Sequence, residues 1–140
     1  MSPVMLLVDD DDSFTLLFER AMRKAGIGAS LQYVTGGEKA MEYLSAQNGF
    51  NDRDRFPFPS LVLLDLKMPG VTGFDVLEWK KEQPELKSLR VVMWSSSELP
   101  EDIQKAYDLG AVSYLVKPID QDGLVEIAKG LEQFLTQPSG

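Results

Sequence analysis

Histidine and cysteine are both missing from this chain of 140 residues. Without cysteine there is no disulfide, no thiolate nucleophile and no Cys-ligated zinc or iron–sulfur cluster, and nothing indicates an oxidising compartment. Without histidine, Ser–His catalysis, imidazole metal sites and a phosphohistidine on this chain are excluded. Any chemistry must therefore be carried by oxygen-bearing side chains and by lysine.

Basic residues and long apolar runs are also scarce. The 14 Lys and Arg are outnumbered by 22 Asp and Glu, which gives a formal net charge of −8, whereas duplex-binding domains normally carry the opposite sign. No segment approaches the roughly 20 apolar residues of a membrane span, and the N-terminus lacks the basic start and apolar stretch of a secretory signal. We expect a soluble, cytoplasmic protein that binds neither nucleic acid nor membranes.

The length and composition favour one globular domain. Apolar residues make up 44% and charged residues 26% of the chain, close to the average of folded proteins, and independent domains usually contain about 100–200 residues. We expect a single domain over residues 1–140 with its core at about 4–135. Since only residues 136–140 follow that core, we expect no output domain.

Five short apolar runs predict strands, and most are continuous, as is typical of a parallel sheet covered on both faces. They are Val4–Val8, Leu31–Val34, Leu61–Leu64, Val91–Trp94 and Tyr114–Val116. The segments between them favour helices, and strict alternation implies right-handed crossovers with helices on both sides of the sheet. One irregular stretch, Asn48–Pro59, predicts a long surface loop whose function stays open.

The helices differ in how clearly the sequence marks them. An apolar stripe beginning at Phe14 indicates a first helix that Gly26 ends. Capping-box spacing over Thr35–Glu38 predicts the start of the second. The other three are predicted around Gly73–Gln83, over Pro100–Gly110, and after Asp120 as an N-cap.

Polar residues follow four of the predicted strands, at the sheet edge where open α/β sheets bind ligands. They are Asp9 to Asp12, Asp65 to Lys67, Ser95 to Ser97, and Lys117 with Pro118. If the first and third strands are neighbours, Asp9, Asp10 and Asp65 converge, and such a cluster is repulsive unless protons or a cation neutralise it. Mg²⁺, which prefers oxygen ligands, is the natural neutraliser. Lys117 would add a positive charge to this edge, and Ser95 a hydroxyl donor.

Each of these residues also has an ordinary structural interpretation. Asp11 and Asp12 precede a helix, where an acidic side chain caps the helix and interacts favourably with its dipole. Taken singly, Ser95 and Lys117 are typical surface residues. Their joint placement at one sheet edge favours a site.

Together these motifs resemble the receiver domains of two-component response regulators, from Val4 to about Leu135. The resemblance implies a flavodoxin-like, doubly wound, five-stranded parallel sheet in the order 2-1-3-4-5 with five helices. It rests on the acidic pair Asp9 and Asp10, the segment Asp65-Leu66-Lys67-Met68-Pro69-Gly70, Ser95, Lys117-Pro118, and Tyr114 at the aromatic switch position. The loop at 48–59 and the segments 59–66, 95–98 and 107–110 look most like single-domain regulators of bacterial phytochrome-type kinases.

The resemblance assigns expected roles to these residues. Asp65 would accept a phosphoryl group from a histidine of a partner kinase, and Lys117 would screen its charge. Ser95 would move to hydrogen-bond the phosphoryl group, and Tyr114 would fill the space left behind. Asp10 and Asp65 would ligate Mg²⁺ directly, Asp9 through water, and the Lys67 backbone carbonyl would supply a further oxygen. The surface of the fourth helix, fifth strand and fifth helix would then change, so we expect a switch rather than an enzyme.

Three positions need separate comment. Ser95 stands where the family more often has Thr, a change that keeps the hydroxyl. Lys67 lies two residues after the acceptor, where side chains influence access of the hydrolytic water, and we hypothesise that it lengthens the phosphoryl lifetime. By resemblance, the peptide bond before Pro118 is expected to be cis, although trans is the default for such bonds.

The partners that the resemblance implies are proteins. The resemblance implies a sensor histidine kinase, with a phytochrome-type kinase suggested by the narrower similarity, or a phosphotransfer protein, and a downstream protein reached by direct contact. Dimerisation through the last helix and intramolecular packing of Phe134 and Leu135 are both open.

Two other functions also remain open. An aspartate-nucleophile phosphatase shares the aspartate, Mg²⁺, hydroxyl and lysine, but generally needs a second acid where this chain has Lys67. A receiver fold without its switch would act as an interaction module, and failure of Asp65 to accept phosphate would favour it.

Overall fold

The computed structural model describes residues 3–118 and 120–136. The sequence predictions that concern residues 1–2 and the tail at 137–140 lie outside these residues. The strands are β1 (Val4–Val8), β2 (Ser30–Val34), β3 (Leu61–Asp65), β4 (Arg90–Ser95) and β5 (Ser113–Val116). The helices are α1 (Asp12–Ala25), α2 (Gly37–Leu44), α3 (Gly73–Lys81), α4 (Pro100–Asp108) and α5 (Gln121–Thr136), with a 3₁₀ helix at Pro84–Leu86.

The five strands form one parallel sheet in the order β2-β1-β3-β4-β5, which confirms the predicted doubly wound architecture. Asp65 at the end of β3 pairs with Trp94 on β4, and the following residue, Ser95, pairs with Val116 on β5. The carboxyl ends of β3, β4 and β5 therefore lie side by side. This alignment gathers the residues that follow the strands at one edge of the sheet.

Alternate side chains of the strands pack into two cores, one on each face of the sheet. Met5, Leu7 and Trp94 pack with residues of α1 and α5 on one face. Leu6 and Val8 pack with residues of α2, α3 and α4 on the other. Each fully buried aliphatic or aromatic side chain contributes about 1.5–3 kcal/mol, so this double burial explains why β1, β3 and β4 have continuous apolar sequences. Within the part of the chain that the structure describes, no helix is long and apolar enough to span a membrane.

Local hydrogen bonds fix both ends of α1 and the start of α5 where the sequence predicts them. The Asp11 carboxylate accepts a hydrogen bond from the Phe14 amide and caps α1, and Gly26 ends this helix with a φ of 75°. The Asp120 carboxylate accepts from the Gly123 amide over 2.8 Å at the start of α5. An N-cap of this kind typically contributes about 1 kcal/mol.

The capping box predicted over Thr35–Glu38 is wrong. Helix α2 begins at Gly37, and its N-cap is Gly36, which has no side chain to accept a hydrogen bond. A Cβ at position 37 would overlap Val71, so this helix start packs closely against the loop before α3. A capping box is present at α3 instead, between Thr72 and Asp75.

The loop at 48–59 is built around Arg53. Its guanidinium donates hydrogen bonds to the backbone carbonyls of Phe56 and Leu44 and lies over the Tyr43 ring. The Tyr43 hydroxyl donates to the Pro57 carbonyl over 2.8 Å, and burial raises the pKa of this phenol to about 12 although Arg53 opposes the shift. The loop therefore has its own polar and aromatic contacts and leads into the amino end of β3.

Candidate functional site

Asp65 is the last residue of β3 and is only 4% exposed. The next residue, Leu66, donates its amide to the Trp94 carbonyl of β4 and accepts a hydrogen bond from the Gly73 amide at the start of α3. A Cβ at position 73 would overlap the Asp65 carbonyl oxygen and the Met93 methyl group. Glycine at this position therefore allows α3 to begin directly against the residue that bears the carboxylate.

Two further aspartates approach Asp65 from the end of β1. Asp9 is 1% exposed, and one of its carboxylate oxygens accepts the Asp11 amide over 2.9 Å. Asp10 is exposed. Carboxylate oxygens of Asp9, Asp10 and Asp65 all lie within 4.8 Å of one another. The structure thus brings together the three aspartates that the sequence places after β1 and β3.

Lys117 follows β5 and reaches the same cluster. Its amide donates to the Ser95 carbonyl over 2.8 Å. Its ammonium lies 2.9 Å from Asp9 Oδ2 and 3.2 Å from Asp65 Oδ2. The bond between Lys117 and Pro118 is trans, as are all peptide bonds among residues 3–118, so the expectation of a cis bond is wrong.

The electrostatics of the cluster depend on burial and on the shared lysine. Burial raises the pKa of Asp65 from 3.8 to about 6, with Lys117 opposing the shift and Asp9 adding to it. Burial lowers the pKa of the Lys117 ammonium, but contacts with Asp9 and Asp65 outweigh it, so the net pKa is raised. Lys117 therefore stays protonated at neutral pH, and Asp65 titrates nearer neutrality than an ordinary carboxyl group.

The donor set fits a hard divalent cation. Three carboxylates beside one ammonium leave two negative charges when all are ionised, which one divalent ion would balance. The ligand atoms that these three residues offer are carboxylate oxygens, which Mg²⁺ prefers over nitrogen or sulfur ligands. Asp9, Asp10 and Asp65 are the groups at this cluster that could hold it.

Ser95 and Tyr114 lie on the α4 side of the cluster and are joined by Ser97. Ser95 is buried, and its hydroxyl oxygen accepts the Ser97 amide over 3.0 Å. The Tyr114 hydroxyl donates to the Ser97 carbonyl over 2.9 Å. The Ser97 hydroxyl donates to Asp102 on α4 over 2.6 Å and accepts the Leu99 amide.

Sequence reasoning missed two parts of this arrangement. The sequence places Ser97 among the residues after β4 but does not distinguish it as the connection from Ser95 to α4. Phe14 belongs to the predicted apolar stripe of α1, yet its ring lies beside the Lys117 ammonium. The proximity of Phe14 to Asp9 and Asp10 in the chain is the only sequence signal that could have indicated this contact.

Comparison with known families decides how this geometry is classified. The family described as the response regulator receiver domain matches residues 5–129. The chain belongs to this family. It is thus a receiver domain of two-component signalling, a phosphorylation-dependent switch whose family is phosphorylated on aspartate.

Individual relatives of the receiver domain match most of this chain. Response regulator Rcp1 of Synechocystis is 31% identical over 131 residues, which cover 94% of this chain and 87% of Rcp1. The probable methanogenesis regulatory protein FilR2 of Methanothrix harundinacea is 29% identical, over 94% of this chain and 82% of its own.

Solved structures extend this similarity to three dimensions. The response regulator RPA3017 in red light signaling of R. palustris superposes with a TM-score of 0.91 and 33% identity, over 99% of this chain and 98% of the other. The phosphorylated cyanobacterial phytochrome response regulator RcpA gives a TM-score of 0.88 at 30% identity, over 99% of both chains. The receiver domain described here is therefore similar to phytochrome response regulators along almost its whole length.

Proposed function

We propose that this receiver domain accepts a phosphoryl group on Asp65 from a phosphohistidine of a partner kinase, with Mg²⁺ bound at the adjacent carboxylates. The observation that carries the proposal is the convergence of Asp9, Asp10, Asp65 and Lys117 at one sheet edge. A buried carboxylate flanked by a lysine and two further acids matches what phosphoryl transfer needs, which is mainly positioning and charge neutralisation.

The proposed transfer changes two bonds. A carboxylate oxygen of Asp65 attacks phosphorus, the P–N bond of the donor breaks, and its electron pair remains on the imidazole nitrogen. Lys117 is already 3.2 Å from Asp65 Oδ2, so its ammonium can contact an oxygen of the arriving phosphoryl group. The amide of Lys67 donates to Asp65 Oδ1 over 3.3 Å and leaves Oδ2 on the side of the lysine.

The metal would be held by oxygen atoms at this edge of the sheet. Asp10 and Asp65 are proposed as direct ligands, with Asp9 acting through water and the Lys67 backbone carbonyl as a further oxygen. Bound there, Mg²⁺ would neutralise negative charge on the phosphoryl oxygens. The Mn²⁺-bound form of response regulator Rcp1 superposes on this chain with a TM-score of 0.84 at 31% identity, which supports a divalent site in this fold.

The switch is proposed to run from Ser95 through Ser97 to α4 and β5. If Ser95 turns to donate its hydroxyl to the phosphoryl group, its hydrogen bond with the Ser97 amide must adjust. Ser97 also carries hydrogen bonds from Tyr114 and to Asp102, so a shift there moves both contacts. The surface of α4, β5 and α5 would therefore change with phosphorylation.

A downstream protein is proposed to read this surface. Leu115, Ile127 and Phe134 line an apolar groove between β5 and α5. Val116 and Tyr107 are exposed nearby, and apolar surface of this kind is typical of protein contacts. We also propose that this protein is cytoplasmic and that its upstream partner is a phytochrome-type histidine kinase.

The proposal is tested with beryllofluoride, which mimics the phosphoryl group. We expect Mg²⁺ and beryllofluoride together to shift backbone amide resonances of α4, β5 and α5, and Asp65→Asn to abolish the shifts. Asp75→Asn, in the capping box of α3, is the control and should keep them. Shifts confined to the immediate neighbours of Asp65 would contradict the proposed output surface.

A further inference from the structure

The ammonium of Lys117 has aromatic neighbours as well as carboxylates. Its Nζ lies 5.0 Å from the centroid of the Phe14 ring and 5.3 Å from that of Trp94. Among residues 3–118 and 120–136, these are the two rings over which this ammonium is placed. The rings also touch each other edge to face, with centroids 4.7 Å apart.

Both rings are held in place by the fold. Trp94 is fully buried and is the register partner of Asp65, so its ring is fixed relative to the acceptor strand. Phe18 packs on Trp94 with a centroid distance of 5.4 Å. Phe14 is half-buried on α1 and packs against the same core. The ammonium therefore lies against an aromatic wall that consists of Phe14 from α1 and Trp94 from β4.

This wall acts on the lysine in a way that the carboxylates cannot. The face of an aromatic ring carries partial negative charge and attracts a cation, most strongly where water is excluded. Lysine has a flexible four-carbon stem, so ion pairs alone position it loosely. The attraction of the Lys117 ammonium to Asp9 and Asp65 weakens when a cation binds these carboxylates and a phosphoryl group bonds to Asp65. The attraction of neutral rings remains.

We infer that Phe14 and Trp94 are positioning residues that hold the Lys117 ammonium beside Asp65 through cation–π contact and thereby set the rate at which Asp65 is phosphorylated. This inference rests on the proposed function, since it concerns the rate of that transfer. Phe14 and Trp94 themselves touch neither the acceptor oxygen nor the donor in this account.

Fluorination of Phe14 gives the sharpest test. Incorporation of 4-fluoro-, 3,5-difluoro- and 3,4,5-trifluorophenylalanine at this position withdraws electrons from the ring face with little change of shape. Acetyl phosphate with Mg²⁺ serves as the donor: its bridging P–O bond breaks, acetate leaves with the electron pair, and phosphorus bonds to Asp65. We expect the rate to fall stepwise with fluorination, by about two- to tenfold across the series, the range of one cation–π contact.

The same series at Phe18 is the matched control. Phe18 also contacts Trp94 edge to face, but its ring is not one of the two beside Lys117, so we expect no trend. A second measurement is independent of phosphorylation. Ring-current shifts of the Lys117 side-chain protons should move toward random-coil values in Phe14→Leu and return in Phe14→Tyr.

The possible outcomes separate this inference from the function on which it rests. A flat series at Phe14, or equal trends at Phe14 and Phe18, in a chain that is phosphorylated normally overturns the positioning role and leaves the proposed function intact. Unchanged Lys117 shifts in Phe14→Leu overturn it as well. A wild-type chain that takes up no phosphoryl group overturns the proposed function, and the inferred effect on rate with it.

Discussion

Replacing Asp65 with asparagine is expected to stabilise the unphosphorylated protein while abolishing its chemistry. Burial raises the pKa of this carboxyl group from 3.8 to about 6 even with Lys117 beside it. At 1.36 kcal/mol for each pKa unit, this corresponds to about 3 kcal/mol of destabilisation by the ionised form at neutral pH. Asparagine cannot ionise and keeps an oxygen acceptor for the Lys67 amide. We therefore expect Asp65→Asn to raise the free energy of unfolding by about 1–3 kcal/mol at pH 7.5.

The pH dependence has a definite sign. In the unfolded chain Asp65 loses its proton near pH 4, whereas in the folded chain it keeps the proton until about pH 6. The favourable contribution of neutral Asp65 is therefore complete below about pH 4 and is lost as the pH rises through 6. The advantage of asparagine should accordingly be near zero at pH 4 and largest at pH 7.5.

Urea denaturation of wild type and Asp65→Asn, at both pH values and with EDTA to remove divalent ions, measures this difference. Asp10→Asn is the matched control, because Asp10 belongs to the same cluster but is exposed, and its gain should be smaller. The reasoning is refuted if Asp65→Asn is no more stable than wild type at pH 7.5. An equal gain at both pH values would also refute it.

Four further predictions concern other parts of the site. Lys67→Ala should accelerate loss of the phosphoryl group, followed on gels that resolve phosphorylated protein, and an unchanged lifetime would show that Lys67 does not obstruct water. Ser97→Ala should cost about 1–2 kcal/mol of stability and reduce the amide shifts that beryllofluoride causes in α4. Undiminished shifts in α4 would exclude Ser97 as the connection from Ser95 to this helix. Gly73→Ala should cost about 1–3 kcal/mol in urea denaturation because the new Cβ would overlap β3, whereas Gly130→Ala, in open space on α5, should stabilise by about 1 kcal/mol; reversed signs would contradict the packing. Mg²⁺ should quench the fluorescence of Trp94, and a flat titration in a Trp79→Phe background would count against a metal at this edge.

The architecture could be predicted from sequence because each element has its own local signal. Continuous apolar runs mark the buried strands, and the stripe ended by Gly26 marks α1. The start of α2 could not be predicted in this way. Thr35 has capping-box spacing, but α2 begins at Gly37 with Gly36 as its N-cap, and a Cβ at Gly37 would overlap Val71. This close approach between α2 and the loop before α3 belongs to the folded chain and has no local signal in the sequence.

The candidate site likewise contains residues that the sequence predicts and residues that it does not. Asp9, Asp65 and Lys117 could be predicted because parallel strands bring their carboxyl ends to one edge, even for residues 108 positions apart. The role of Ser97 as a connection to α4 depends on side-chain directions. The contact of Phe14 with Lys117 depends on how α1 packs across β4. Neither has a signature in the linear sequence.

Identification of the phosphorylated residue shows whether Asp65 is the phosphoacceptor. The protein is incubated with Mg²⁺ and an autophosphorylated phytochrome-type histidine kinase, or with acetyl phosphate, and its peptides are analysed by mass spectrometry under conditions that preserve acyl phosphates. The account predicts one phosphoryl group on the peptide that contains Asp65. No phosphoryl group should form when EDTA removes the Mg²⁺ or when Asp65 is replaced in Asp65→Asn. A phosphoryl group on any other residue, or none with either donor, would contradict it.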